Sequence, residues 1–305
     1  MTAPKNLAAS VKARLLALAE RRDESFNLLI VRFGVERLLY RLSQSPHAGK
    51  FLLKGAMLFA LWDEKAPRPT QDVDLLAFGQ IDLDDVRAVF KEIVETPVAP
   101  DGLVFQADSI RVEHIRGADV YGGVRVHLLA LLGKGKVPVQ VDLGFGDVVT
   151  PRPDESIFPA LLDFPAPRIR SYPIYTVVAE KLEAIVKLGI TNTRMKDFFD
   201  LWFLSRRFDF DGETLHKAVR ATFERRQTEL GGELPFSLTD AFASDGTKQI
   251  QWAALLRRNG LTGPSLKFKD VVVLLRQFLE PILLAGKNSS HWNPKTGWLR
   301  PTYEP

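Results

Sequence analysis

An α+β first half followed by an all-helical second half is the fold class that this sequence predicts. Three observations carry it. Leucines and valines recur three and four apart through residues 11–42. Strand-like runs punctuated by glycines fill Leu103 to Leu143, and helical periodicity resumes beyond a proline-rich stretch from Thr150 to Pro173. The expected division is an N-terminal domain over residues 1–150, with leading helices over 1–45, and a helical C-terminal domain over 151–305.

Taken in order, Val11–Glu20 and Phe26–Leu42 read as amphipathic helices, with Arg and Glu between the apolar positions. His47-Ala48-Gly49 breaks that pattern. Phe51-Leu52-Leu53 is a short apolar strand, and Lys54-Gly55 leads into an apolar helix from Ala56 to Trp62. Pro67 and Pro69 bracket a turn. Val73–Phe78 is a second strand, and Asp82–Glu95 is a helix that Pro97 ends. Gly122-Gly123 and Gly133-Lys134-Gly135 are hairpin signals within the run to Leu143. Pro151, Pro153, Pro159, Pro165, Pro167 and Pro173 mark a linker. Helices follow at Tyr175–Leu188, Arg194–Phe208, Gly212–Arg226, Ala253–Arg258 and Phe268–Leu284. The last twenty residues read as an extended tail pinned by Trp292 and Trp298.

Composition narrows the function classes. The chain has 305 residues, 46% of them hydrophobic and 26% charged, which excludes disorder, a collagen-like fibre and a small stapled scaffold. No run approaches the roughly 18–20 uncharged residues of a membrane span, and Lys12, Arg14 and Glu20 interrupt the first leucines where a signal peptide needs none. The cytoplasm is therefore the expected compartment. With no cysteine, thiolate metal sites and cysteine nucleophiles are excluded. The five histidines are scattered without metal-ligand spacing, and neither a Walker A sequence nor a Rossmann glycine fingerprint is present. The net charge of +4 arises entirely in residues 151–305, which hold 22 basic and 18 acidic residues against 19 of each in 1–150. That surplus permits a polyanionic partner.

Carboxylates and lysines are left to do the chemistry. If Asp72–Leu76 is a strand, period two puts Asp72 and Asp74 on one face. Two carboxylates side by side repel unless a cation sits between them, and magnesium is the expected occupant. Gly55 stands where a strand turns into a helix, so its backbone can approach a phosphate, with the Lys54 ammonium beside it. Asp142 ends the polar side of the Val137–Leu143 strand and is the candidate third metal ligand. In the second half, Lys181 falls within the apolar arc of its helix while Glu180, Glu183 and Lys187 lie opposite. A buried ammonium demands an anion, and the expectation is a nucleoside triphosphate met across the cleft between the halves. Thr193 is the expected N-cap of the next helix, Lys196 and Asp200 an ordinary surface pair, and Asp197 the group that holds Lys181 or a nucleophile.

Four motifs in order then resemble one family. They are Lys54-Gly55 before an apolar helix, Arg68-x-Thr70-x-Asp72-Val73-Asp74, Glu180-Lys181-Leu182-x-Ala184 and Arg194-x-Lys196-Asp197-x-x-Asp200. Together they are similar to the AbiEii/MenT nucleotidyltransferase toxins, over roughly residues 50 to 205. Ala56 departs from the small polar residue or glycine usual after Gly55.

The resemblance implies a DNA polymerase β-like nucleotidyltransferase core with a mixed sheet and a helical C-terminal domain. It implies magnesium as cofactor, a nucleoside triphosphate donor, and a toxin role in a type IV toxin–antitoxin or phage-defence pair with a cognate antitoxin. Some relatives add nucleotides to the 3′ end of tRNA and so block translation. Position by position, Asp72, Asp74, Lys181 and Asp197 become the catalytic set, with Asp72 and Asp74 as metal ligands. Lys54, Gly55, Thr70, Lys181 and Arg194 become nucleotide-binding. The rival readings are a small-molecule nucleotidyltransferase like those that modify aminoglycosides, and a non-catalytic nucleotide-binding interaction module.

Overall fold

In the computed structural model the described residues are 6–63, 68, 70–79, 82–115, 122–261, 266–284 and 290–299. The turn expected at Pro67 and Pro69 lies outside them. They form a mixed α+β structure in two compact units, one of residues 1–146 with 153–172, the other of 147–152 with 173–305.

The first unit is built on a seven-stranded mixed sheet. Its strands are β1 (Phe51–Lys54), β2 (Val73–Ala77), β3 (Leu103–His114), β4 (Gly123–Leu132), β5 (Gly135–Phe145), β6 (Asp154–Ile157) and β7 (Arg168–Ser171), in spatial order β3-β4-β5-β2-β1-β7-β6. Helices α1 (Leu7–Arg22), α2 (Phe26–Gln44), α3 (Phe59–Trp62) and α4 (Leu83–Glu95) complete it. On β4 and β5 one face is wholly apolar: Val124, Val126, Leu128, Ala130 and Leu132 beside Val137, Val139, Val141, Leu143 and Phe145, all buried. Val11, Leu15 and Leu18 of α1 and Leu29 and Phe33 of α2 join that face in one core cluster. Gly34 lets α2 approach closely, since a Cβ there would lie 2.9 Å from Val137 Cγ1.

The expected linker is not one. Residues 153–172 supply β6 and β7, which pair antiparallel to each other, and β7 lies parallel to β1 through Leu53 and Ser171. The chain between these strands is tied to α2. Leu161 N–H donates to Glu36 Oε2 at 2.7 Å, and Arg37 Nη2 donates to the Pro165 carbonyl at 2.7 Å. Prolines here terminate strand pairing instead of separating domains, because they remove ladder donors without preventing extended backbone. The apolar helix expected at Ala56–Trp62 is a 3₁₀ turn over Gly55–Leu58 followed by the single turn of α3.

The second unit is mainly helical: α5 (Ile174–Leu188), α6 (Met195–Arg207), α7 (Gly212–Arg225), α8 (Asp240–Ser244), α9 (Gly246–Arg258) and α10 (Phe268–Leu284). Helix α9 starts seven residues before the expected Ala253, because Asp245 caps it by accepting from Lys248 N–H. Phe198, Phe242, Phe268 and Trp252 pack against one another within this unit, with ring centroids 5.3–6.0 Å apart along the chain of contacts and Phe198 stacked on Phe242. The tail forms a hairpin, β9 (His291–Asn293) with β10 (Gly297–Leu299), and β9 pairs with β8 (Phe210–Asp211). Trp292 Nε1 donates to the Ser205 carbonyl and Trp298 Nε1 to that of Phe278, so both indoles do pin this segment. Among the described residues, no helix is long and apolar enough to cross a membrane.

Candidate active site

In the first unit, register assembles the site. Lys54 on β1 stands opposite Asp74 on β2, Asp74 stands beside Asp142 on the parallel strand β5, and Asp142 stands opposite Arg125 on β4. Arg125 in turn faces Glu113 on β3. Residues directly opposite in a sheet share a face, so lysine, two aspartates, arginine and glutamate form one charged row across five strands. Asp72 precedes β2 by one residue, is exposed, and falls on the Asp74 side of the pleat.

Gly55 follows Lys54 at φ +70°, a conformation that L side chains rarely adopt. A Cβ there would lie 2.0 Å from Asp74 Oδ2 and 2.6 Å from its Cγ, so the carboxylate rests directly on the glycine backbone. Lys54 Nζ sits 5.3 Å from the centroid of the buried Tyr172 ring, a cation–π contact that steadies the ammonium. Thr70 Oγ1 donates to the Asp72 carbonyl at 3.3 Å, which fixes the turn entering β2.

Asp142 is engaged on both oxygens. Arg125 Nε donates to Oδ1 at 2.8 Å and Arg125 Nη2 to Oδ2 at 2.7 Å, with Gln140 Nε2 at 3.3 Å from Oδ1. The hydrogen bond to Asp142, then the charges of Asp142, Asp72 and Glu113, hold the guanidinium above its ordinary pKa against a smaller desolvation effect. Nothing in the sequence singled out Arg125; only its pairing partner on β5 reveals it.

Among the described residues, no group of three or more Asp, Glu or His side chains is disposed to hold a metal ion. The three carboxylates thus do not converge as a cage. Asp72 and Asp74 do suit a hard cation that takes its remaining ligands from phosphates and water, and the space a Cβ would take at Gly55 is filled by the Asp74 carboxylate. A cavity of about 420 Å³ in this unit lies elsewhere: Leu53 and Leu75 line it, on the opposite side of the pleat from Lys54 and Asp74.

In the second unit, Lys181 of α5 points at α6. Its Nζ lies 3.1 Å from Asp197 Oδ1 and 2.6 Å from Asp200 Oδ2, and both carboxylates are fully buried. Arg194 Nε lies 2.7 Å from Asp197 Oδ2. The Lys181 ammonium is thus met by two buried carboxylates, one of which also meets the half-exposed Arg194. Asp197 holds Lys181 as its spacing suggested. Asp200 is not a surface partner of Lys196; it shares the inward face of α6 with Asp197, Leu201 and Leu204. Thr193 does not cap α6; Arg194 occupies the cap position, and Asn192 Oδ1 accepts its N–H at 2.7 Å.

Glu183 also departs from expectation, being buried instead of solvated. Arg226 explains it, with Nη1 2.9 Å from Glu183 Oε2 and Nη2 3.0 Å from Asp147 and 3.3 Å from Glu180. Burial opposes the charge of Arg226, but Glu180, Asp147 and Glu183 together outweigh it and hold its pKa above the ordinary arginine value. This cluster fixes the Glu180-Lys181 turn of α5, and its carboxylates looked in the sequence like a solvent-facing stripe.

The family model for the nucleotidyl transferase AbiEii toxin of type IV toxin–antitoxin systems matches residues 37–274, and the chain belongs to that family. Its enzyme class is accordingly nucleotidyl transfer. Among solved structures, the chain is similar to MenT4, a nucleotidyltransferase toxin from Mycobacterium tuberculosis H37Rv, with 16% identity over 92% of this chain and 99% of that one and a TM-score of 0.52. It is also similar to JHP933 from Helicobacter pylori, with 14% identity over 82% and 89% of the two chains and a TM-score of 0.46. No curated protein sequence matches it.

Proposed function

We propose that the protein transfers a nucleotide from a nucleoside triphosphate to an RNA acceptor, the 3′ end of tRNA, and so stops translation and growth until a cognate antitoxin restrains it. The observation that carries the reading is the row Lys54–Asp74–Asp142 with Gly55 packed against Asp74. Acids, a cation and a bare glycine turn stand side by side there. The basic surplus of residues 151–305 supports a polyanionic acceptor, and the toxin family supports an antitoxin partner.

Asp72 and Asp74 are the residues that would hold magnesium, which supplies Lewis-acid polarisation of the phosphate oxygens and of the acceptor hydroxyl. The chain's own groups do the rest by position and charge. Gly55, bare so that Asp74 keeps its place, is the turn assigned beside the phosphates, and Lys54 offsets charge on the departing pyrophosphate. The acceptor oxygen bonds to the α-phosphorus as the bond to the bridging oxygen of the β-phosphate breaks. Pyrophosphate leaves with that electron pair, and the hydroxyl proton passes to water. Lys181, oriented by Asp197 and Asp200, is the ammonium of the helical unit assigned to triphosphate binding, with Arg194 beside it.

The test is induced expression of wild type beside Asp74→Ala, scored for growth arrest and lengthened RNA, with purified protein incubated with labelled nucleotides and total RNA or small acceptors. Wild type arrests growth and labels RNA only with divalent metal present, while Asp74→Ala and Asp72→Ala fold normally and do neither. Retained transfer in Asp72→Ala removes the site from consideration. Labelling of small acceptors alone makes the protein a small-molecule enzyme.

A further inference from the structure

Arg125 is a strong cation that nucleotide and metal binding leave unused. Arg125 is clamped through Nε and Nη2 by both oxygens of Asp142, so the plane of its guanidinium is fixed. Among the described residues its Nη1 has no acceptor, and a third of the side chain stays exposed at 34%. A clamped arginine with a spare edge beside a reaction centre is built to receive a phosphate or carboxylate.

Its place in the row says whose phosphate. Lys54 and Gly55 stand on one side of Asp74, and Arg125 stands two strands away on the other. Strands are about 4.8 Å apart, so Arg125 lies roughly 10 Å from Asp74 and 14 Å from Lys54 across the sheet. In-line displacement sets the nucleophile opposite the leaving group. With pyrophosphate leaving on the Lys54 side, the acceptor enters on the Arg125 side. Arg111 and His127, opposite each other on β3 and β4, continue the same face one step further along the strands.

Resting on the nucleotidyl-transfer reading, we infer that Arg125 binds the terminal phosphodiester of the RNA acceptor, and that Asp142 is its positioning residue and not a metal ligand. Arg125 and Asp142 then act on acceptor binding and leave the nucleotide and the metal untouched.

The experiment compares wild type, Arg125→Gln, Arg125→Lys and Asp142→Asn in three measurements. They are anisotropy of a labelled RNA ending in a 3′-deoxynucleotide over a range of salt, binding of a non-hydrolysable nucleoside triphosphate, and transfer rate against RNA and magnesium concentration. Arg125→Gln weakens RNA binding and raises the RNA KM on the order of tenfold, lowers the salt slope of log K by about 0.7–1, and leaves triphosphate affinity unchanged. Unchanged triphosphate affinity also shows that the variant is folded. Arg125→Lys restores part of the affinity and most of the salt slope, since charge returns without the fork. Asp142→Asn raises the RNA KM with the same magnesium midpoint. The inference is overturned if Arg125→Gln binds RNA like wild type, if it loses triphosphate instead, or if Asp142→Asn abolishes transfer and demands more magnesium. Wild type that binds no RNA overturns the RNA-acceptor reading itself.

Discussion

Asp74 rests its carboxylate on the backbone of Gly55, so closely that a Cβ at residue 55 would fall 2.0 Å from Asp74 Oδ2. Residues far apart in the sequence, one opening the turn after β1 and one on β2, thereby constrain one another's identity. The glycine must stay bare so that the acid can keep its place in the row.

Gly55→Ala tests that constraint. The methyl group must displace Asp74 and hold φ near +70°, which L residues resist. The expected cost is about 1–3 kcal/mol in stability, read by urea unfolding. Transfer falls at least as far as in Asp74→Ala if displacement of the carboxylate is complete. A variant with wild-type rate and stability would show that the contact is incidental.

The Lys181 cluster predicts strong coupling. Asp200→Asn leaves the Lys181 ammonium with one carboxylate fewer, and Lys181→Met removes the cation that Asp197 and Asp200 share. Each costs about 3 kcal/mol or more. The double variant costs less than the two losses summed, by at least about 1 kcal/mol. Additive losses in a double-mutant cycle would mean that the pair contributes nothing as a pair.

Glu36 predicts a pH dependence. Burial raises its pKa to about 7, against the opposing charge of Arg37 and the N–H of Leu161. A carboxyl with a raised folded pKa binds more protons folded than unfolded between roughly pH 4.5 and 7, so stability falls as pH rises through that window. Wild type therefore loses on the order of 1–3 kcal/mol relative to Glu36→Gln between pH 5 and pH 8. Urea midpoints of the two proteins at both pH values check it. Parallel pH profiles would place the titration elsewhere.

Much was legible in the sequence because it is written locally. The amphipathic spacing of Phe26–Leu42 and the alternation of Val137–Leu143 specify α2 and β5 by their own periods. The glycine turn after Lys54 and the Asp72/Asp74 doublet likewise carry their chemistry in residue type and spacing. The start of α9 lies outside the reach of periodicity, because an aspartate cap, not an apolar repeat, opens the helix. The linker reading failed because proline count says where ladder donors are missing, not whether a strand such as β7 will pair.

By itself the sequence determined most of the order of the elements and which side chains are candidates for phosphate and metal: Lys54, Gly55, Asp72, Asp74, Lys181 and Asp197. Only the tertiary structure decided which strand lies beside which. That choice put Asp142 next to Asp74 and Arg125 upon Asp142, and it turned Asp200 and Glu183 inward to Lys181 and Arg226. The physical reason is that side-chain period is a property of each segment, whereas pairing between distant segments is settled by burying their apolar faces together.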